Sequence, residues 1–365
     1  MNKNLYYIIA GEPSGDLHGA NLINEIKKID VSAEFQGLGG PLMQQAGLKT
    51  TISFQRLSVM GFWEVLRDLR FFLQLKKKII SSILQLKPKK IILIDYPGFN
   101  LSLAKSLKQI IKTPILYYIS PQVWAWKKKR VSLIKKYVDK LIVVFPFEID
   151  WFKKHDLSVE FFGHPLIDQF KKTDKQINSD NSKTIALFPG SRSQEIKKHL
   201  PLLNKTSRVL KEKNPHLNFI LNITPGLSKQ KIQSLVDKNI KVVQEKSSDV
   251  FLKSCGAIVT SGTATLECAI TKTPFVVIYK TSFISWLIAK SFLSVPFICI
   301  VNLLANKEII PELVQKEATP QKIANQLLKI LNNSKKIKKD LKEVKDSLGR
   351  GDAYIKTAKY IVRYD

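Results

Sequence analysis

The chain has 365 residues, of which 44% are hydrophobic and 9% aromatic, globular values that exclude wholesale disorder and, at roughly 100–150 residues per domain, point to two domains. Its 59 Lys and Arg against 30 Asp and Glu leave a net charge of +29, a field that attracts phosphates, anionic lipid or nucleic acid; most of it is Lys spread along the whole chain, which a biased composition also produces. The cysteines Cys255, Cys268 and Cys299 lack Cys-x-x-Cys or Cys/His ligand spacing, so neither a disulfide framework nor a zinc site is expected, and the compartment reads as reducing.

The first apolar run, Leu5 to Ala10, is too short for a signal-peptide core and reads as a strand. It is followed by a helix over Leu17 to Lys28. Further strands are expected at Lys90 to Asp95, Ile115 to Ile119 and Leu141 to Phe145, with helices over Phe99 to Ile111 and Lys127 to Tyr137. This alternation is the pattern of a parallel sheet wrapped by helices. The polar stretch 171–183, KKTDKQINSDNSK, has linker composition, and after it the alternation restarts with strands at Thr184 to Phe188, Asn218 to Asn222, Ala257 to Thr260 and Phe275 to Tyr279. No strand signal follows Lys307. Amphipathic helices are expected over Gln321 to Ile330 and Ile337 to Leu348. The apolar stretch Phe283 to Ala305 is interrupted by Lys290 and Pro296, so it makes no convincing membrane span. The fold class is therefore α/β, with two Rossmann-like doubly wound domains facing across a cleft and C-terminal helices. The expected domains are 1–170 and 184–340, followed by a helical tail, 341–365, whose packing on the first domain is left open.

Four turns at carboxyl strand ends carry candidate chemistry, because that edge of an open α/β sheet is where ligands bind. In the second half, Gly190, Ser191 and Arg192 stand between a strand and a helix start, where backbone amides, helix dipole and guanidinium suit a diphosphate. Gly262, Thr263 and Ala264 open a second such helix, and Glu267, one turn in, is placed to accept ribose hydroxyls. In the first half, Gly11-Glu12-Pro13-Ser14-Gly15-Asp16 and Asp95-Tyr96-Pro97-Gly98 put carboxylates at strand ends, so Asp95 and Glu12 are candidates for a general base. The competing reading for Asp16 and Asp95 is helix capping. Ser14, Gly15 and Asp16, with Gln122 and Trp124 of the loop Ser120 to Trp126, are candidates for holding an acceptor. The segment Phe62 to Leu73, followed by Lys76-Lys77-Lys78, carries more apolar surface than one core stripe needs. Trp63, Leu66, Leu69, Phe72, Leu73, Lys76 and Lys77 fit an interfacial helix on an anionic membrane, against the alternative of a buried helix with a solvated basic end. No complete G-x-G-x-x-G, Walker A, metal-ligand cluster or nucleic-acid motif accompanies these turns, so no cofactor, metal or nucleic-acid partner is expected.

Taken together, GEPSGDLHGA at 11–20, LSVMGFWEVL at 57–66, IDYPGFN at 94–100, SPQVWAWKKKR at 120–130, FGHP at 162–165, PGSRSQE at 189–195, SGTATLE at 261–267 and NLLA at 302–305 resemble the lipid-A-disaccharide synthase family of inverting GT-B glycosyltransferases. The resemblance covers nearly the whole chain. It implies transfer of a diacylated glucosamine from UDP to the 6-hydroxyl of diacylglucosamine 1-phosphate; the competing readings are another GT-B transferase using a UDP-amino sugar, of the peptidoglycan-precursor type, and a non-catalytic basic protein that binds anionic membrane or nucleic acid. In its pattern Asp95 matches the general base and Glu12 a second carboxylate, while Arg192, Glu267 and Asn302 match the UDP-binding set. It further implies a cytoplasmic protein peripheral on the inner face of the inner membrane. The chain departs from the pattern at Gly98, where some members carry a further acid, at Val301 in place of Pro, and at Asn306 in place of Gly.

Overall fold

The structure, a computed structural model, describes residues 4–50, 69–125, 130–170, 183–224, 226–281 and 295–364. The chain divides into two compact units, one formed by Met1–Asp168 with Gly349–Asp365 and the other by Gln169–Leu348.

The first unit is built on seven parallel strands in the order β3-β2-β1-β4-β5-β6-β7. These are β1 (Asn4–Ala10), β2 (Ala33–Leu38), β3 (Leu48–Lys49), β4 (Lys90–Ile94), β5 (Ile115–Tyr118), β6 (Lys140–Val143) and β7 (Glu160–Phe161). The four strands expected from the sequence are the central ones. Strands covered on both faces read as continuous apolar runs, whereas β2 carries Glu34, Gln36 and Gly37, and β3 and β7 are two residues long. The helices are α1 (Pro13–Ile29), α2 (Pro41–Gln45), α3 (Leu69–Leu86), α4 (Pro97–Leu107), α5 (Arg130–Tyr137), α6 (Phe147–Lys153) and α7 (Pro165–Phe170). Both α1 and α4 begin earlier than expected, each on a proline in the first turn. Proline's fixed φ and missing N–H suit that position, so GEPSGD and DYPG are helix starts rather than loops.

The second unit has six parallel strands in the order β10-β9-β8-β11-β12-β13: β8 (Thr184–Phe188), β9 (Asn218–Asn222), β10 (Ile240–Val243), β11 (Gly256–Thr260), β12 (Phe275–Tyr279) and β13 (Glu312–Val314). The expectation of no strand beyond Lys307 is corrected by β13. Its three residues pair with Val277, Ile278 and Tyr279 at the sheet edge, too short a run to show a period of two. Around this sheet lie α8 (Ser193–Lys213), α9 (Lys229–Gln233), α10 (Ser247–Leu252), α11 (Thr263–Thr271), α12 (Ile300–Ala305), α13 (Pro320–Asn332) and α14 (Ser334–Ser347). Since α14 runs unbroken to Ser347, the chain leaves this unit after Leu348 rather than at 340.

The last helix, α15 (Ala353–Arg363), belongs to the first unit and packs on α1. Buried Lys90 donates to the carbonyls of Ile361 and Val362 at 2.8 and 2.9 Å. A cation thereby meets the negative end of the helix dipole and satisfies carbonyls that no longer have an intrahelical partner. Tyr354 Oη lies 2.8 Å from His18 Nδ1, and Asp168 accepts the Tyr354 amide at 3.0 Å.

Candidate active site

In each unit the strand order reverses direction beside the first strand of that unit, between β1 and β4 and between β8 and β11. A doubly wound sheet opens its ligand crevice at that switch point, outside the carboxyl ends of the strands. The carboxyl ends there are followed by Gly11-Glu12 and Asp95 in the first unit and by Pro189-Gly190 and Ser261-Gly262 in the second. The four turns singled out in the sequence thus fall into two adjacent pairs, one pair per unit.

In the first unit Asp95 and Tyr96 have φ of 45° and 50°, two successive non-glycine residues in the left-handed region. That conformation costs on the order of 1–2 kcal/mol per residue and persists only where the surroundings impose it. Here the Tyr117 hydroxyl donates to the Asp95 carbonyl at 2.5 Å, Asn100 Nδ2 donates to the same carbonyl at 2.8 Å, and the Asp95 amide donates to Tyr118 O at 3.0 Å. The Asp95 carboxyl is half-buried. Burial, and then the neighbouring Glu12 carboxylate, push it up to about 6, against a donated Tyr96 amide that pulls the other way. Glu12 is exposed at the N-cap of α1. The Tyr96 ring lies flat over Gly11, where a Cβ would come within 2.3 Å of Cδ1, so only glycine permits this approach. Its hydroxyl is pushed up to about 12 by burial and by Glu12. Tyr96, Asn100 and Tyr117 were not expected site residues, although the first two lie inside IDYPGFN. Gly98 is exposed, and a Cβ there would meet nothing within 4 Å.

The candidate acceptor residues divide. Ser14 and Gln122 are exposed. Gly15 is buried against Ala10. Asp16 is also buried, and its two carboxylate oxygens accept the amides of Leu42 and Met43 at 3.1 and 2.9 Å. It caps α2, a turn remote in sequence, instead of facing a ligand. Trp124 is buried, stands edge-on to Phe147, and donates its indole N–H to Glu148 Oε1 at 3.0 Å. Glu148 Oε2 accepts the amides of Val144 and Phe145 at 3.1 and 2.9 Å. Burial pushes Glu148 up to about 7, and these donors pull it back down. Trp124 therefore pins the loop through Glu148 and is no surface contact. An aromatic residue beside a basic cluster reads alike in sequence whether it is wall or ligand platform.

In the second unit the anion-ready turn holds an anion of its own. Glu195 Oε2 accepts the amides of Ser191 and Arg192 at 3.1 and 3.3 Å, and its Oε1 meets Arg192 Nη1 at 3.2 Å. Gly190 has φ of 107°, and a Cβ would lie 2.5 Å from Glu195 Oε2. The Arg192 side chain remains 81% exposed, leaving most of its guanidinium fork turned to solvent. At the neighbouring turn Gly262 and Thr263 are exposed and Ala264 is half-buried. Glu267 is half-buried, and burial pushes its carboxyl up to about 7 against a hydrogen bond from Ser247.

Asn302 proves to be internal. It is fully buried, Oδ1 accepts the amides of Ile309 and Ile310 at 3.0 Å each, and Nδ2 donates to Ile310 O and Glu312 Oε1 at 2.8 and 2.9 Å. Glu312 also accepts the amides of Ile298 and Cys299. Every hydrogen-bonding position of the amide is spent on the 298–312 loop, so Asn302 shapes that loop and has nothing left for a nucleotide. Asn306, the departure from glycine, takes φ of 51° at the end of α12, the conformation that asparagine tolerates best after glycine. His199, absent from the expected set, is fully buried and bonded to backbone at both ring nitrogens.

Of the expected membrane helix, Trp63 and Leu66 lie outside the described residues, as does the Leu69 side chain. Phe72 is half-buried 6.2 Å from Phe99, and Lys76 donates to Ser102 Oγ at 2.9 Å. Leu73 is 53% exposed, and Lys77 is exposed one turn further on. The outward face of α3 thus carries Leu73 and Lys77, while Phe72 packs inward. Among the described residues no helix is long and apolar enough to cross a membrane, and no three His, Cys, Asp or Glu side chains group as metal ligands.

Comparison with known proteins bears on the fold and on the family. The crystal structure of Acinetobacter baumannii MurG superimposes with a TM-score of 0.61 at 14% identity, covering 99% of each chain. A UDP-GlcNAc 2-epimerase from Neisseria meningitidis, bound to UDP-GlcNAc, gives 0.65 at 14% identity over 98% of this chain and 99% of its own. At such identities the likeness establishes the two-sheet α/β fold of the GT-B glycosyltransferases. The lipid-A-disaccharide synthase of Coxiella burnetii (strain CbuG_Q212) is 38% identical over 375 aligned residues, 99% of this chain and 98% of its own length. The family model described as lipid-A-disaccharide synthetase matches residues 6–361, and the chain belongs to that family.

Proposed function

We propose that the chain, a hexosyltransferase of lipid A biosynthesis, transfers a 2,3-diacylated glucosamine from UDP to the 6-hydroxyl of 2,3-diacylglucosamine 1-phosphate. The acceptor oxygen attacks the anomeric carbon of the donor sugar, and a β-1,6 bond forms as the bond to the UDP oxygen breaks. The hydroxyl proton passes to Asp95, and the electron pair leaves on the β-phosphate of UDP. The observation that carries this reading is Asp95 itself, pinned through its carbonyl in a strained turn at a switch point, with its carboxyl raised to about 6. A base whose pKa lies near the working pH combines a largely ionised population with useful proton affinity.

Glu12 contributes by raising Asp95 rather than by competing with it. In the second unit Arg192 receives the charge that develops on the leaving diphosphate, supported by the starts of α8 and α11, and Glu267 accepts from the ribose. The Ser191 and Arg192 amides already hold the Glu195 carboxylate, which supports their suitability for an anion; a phosphate oxygen using them exchanges with that side chain. The acyl chains of both substrates reach the protein from an anionic membrane on the cytoplasmic side, where Leu73 and Lys77 of α3 provide a contact. Incubation with UDP-2,3-diacylglucosamine and 2,3-diacylglucosamine 1-phosphate should give disaccharide 1-phosphate and UDP in equal amounts. Transfer from UDP-GlcNAc to a lipid-linked muramyl peptide, with none to the acylated monosaccharide phosphate, would refute the substrate assignment.

A further inference from the structure

His199, on the second turn of α8, ties together three strand ends of the second unit. Its Nδ1 lies 2.9 Å from Pro189 O and 3.3 Å from Thr260 Oγ1, and its Nε2 accepts the Lys280 amide at 2.9 Å. The Thr260 hydroxyl in turn donates to Phe188 O at 3.1 Å. Pro189 follows β8, Thr260 ends β11 and Lys280 follows β12, so one buried imidazole spans the switch point and both turns that flank it. A carbonyl oxygen only accepts and an amide N–H only donates, which fixes the ring as the neutral form with its proton on Nδ1. The proposed transfer reaction does not use this residue.

We infer that His199 is a positioning residue for the nucleotide subsite, setting the spacing of the 189–192 and 261–263 turns so that both meet one diphosphate. The inference rests on the reading of those turns as the UDP site. Two turns that drift apart by about 1 Å lose on the order of a hundredfold in an interaction that depends on their joint geometry. A second proton on the ring breaks the arrangement, because an N–H at Nε2 would face the N–H of Lys280. The charged and titratable groups around it are Glu195 and Lys198 from α8, and Lys280 and Tyr279 from the β12 end. Burial, helped by Lys198 and Lys280, holds the imidazole below its ordinary value against Glu195 and the Pro189 carbonyl.

The test measures UDP binding by calorimetry together with KM for donor and for acceptor, in the full-length protein, for wild type, His199→Leu and His199→Gln. Leu removes both bonds, whereas the Gln amide keeps one donor and one acceptor in a plane. His199→Leu should raise the UDP Kd and donor KM roughly 10- to 100-fold with acceptor KM unchanged, and His199→Gln should recover most of that loss. As the pH falls below 6.5, the imidazole's ordinary value, from which burial holds it down, the donor KM of wild type should rise more than that of His199→Gln, a comparison that stands even where His199→Leu does not fold. Donor KM equal in wild type and His199→Leu, equal loss for donor and acceptor, or the same acid-side rise in wild type and His199→Gln would each overturn the positioning role. Failure of the wild type to bind UDP would overturn the nucleotide-site reading itself, a result distinct from the other three.

Discussion

Replacing Asp95 with Asn keeps the shape of the side chain and its left-handed backbone while removing the charge, so it separates the cost of that charge from its use. The carboxyl ordinarily ionises near 3.8 and is held at about 6. At about 1.4 kcal/mol per pH unit that difference corresponds to about 3 kcal/mol, which we reduce to about 2 kcal/mol because the half-buried group still reaches solvent. The sign follows from linkage. The folded protein holds the proton more tightly than the unfolded chain, so the ionised carboxylate destabilises the fold above pH 6, and the penalty disappears below about 3.8, where both states are protonated. Asp95→Asn should therefore melt about 4–8 °C higher than wild type at pH 8, and the gain should shrink toward zero as pH falls to 4. Turnover should drop by about 10²–10⁴-fold, while wild-type kcat/KM should climb through pH 6 and level off above it. Differential scanning fluorimetry across pH, run beside the transfer assay, reads both. A variant no more stable at pH 8 than wild type, or a gain independent of pH, would show that Asp95 carries no desolvated charge and would remove the basis for its role as base.

Arg192→Gln should weaken UDP binding about 10- to 100-fold, the worth of a charge-assisted contact; calorimetry that finds no loss would assign the diphosphate elsewhere. Asn302→Ala strands the buried amides of Ile309 and Ile310 and should cost about 3 kcal/mol of stability. A variant with unchanged melting temperature that has lost UDP binding would instead make Asn302 a ligand. Trp124→Phe leaves Glu148 Oε1 without its indole donor and should destabilise the first unit by about 1–2 kcal/mol. Undiminished stability with a raised acceptor KM would return Trp124 to the substrate. Lys77→Glu with Leu73→Asp should reduce co-sedimentation with vesicles containing anionic phospholipid by about tenfold, at about 1 kcal/mol per lost basic contact plus the lost apolar area; sedimentation equal to wild type would refute α3 as the contact.

The sequence by itself determined the two α/β units, the central strands β1, β4, β5, β6, β8, β9, β11 and β12, and the turns that carry Glu12, Asp95, Arg192 and Gly262. These are legible because doubly covered strands are continuous apolar runs, and because a small-residue turn between strand and helix is a local property of a few neighbours. Edge strands escaped, since β3 and β13 are too short to show a period. Only the tertiary structure decided which polar residues look outward. Asp16, Trp124 and Asn302 have side chains as suited to a ligand as Arg192, yet each spends its hydrogen bonds on groups that folding brings to it: the amides of Leu42 and Met43, the Glu148 carboxylate, and the backbone of 309–310. His199 is the converse case. A lone histidine within a lysine-rich helix carries no local signal, and its part at the switch point exists only because Pro189, Thr260 and Lys280 meet around it. A buried polar group must find partners wherever the fold supplies them, and those partners lie at sequence separations that no local pattern records.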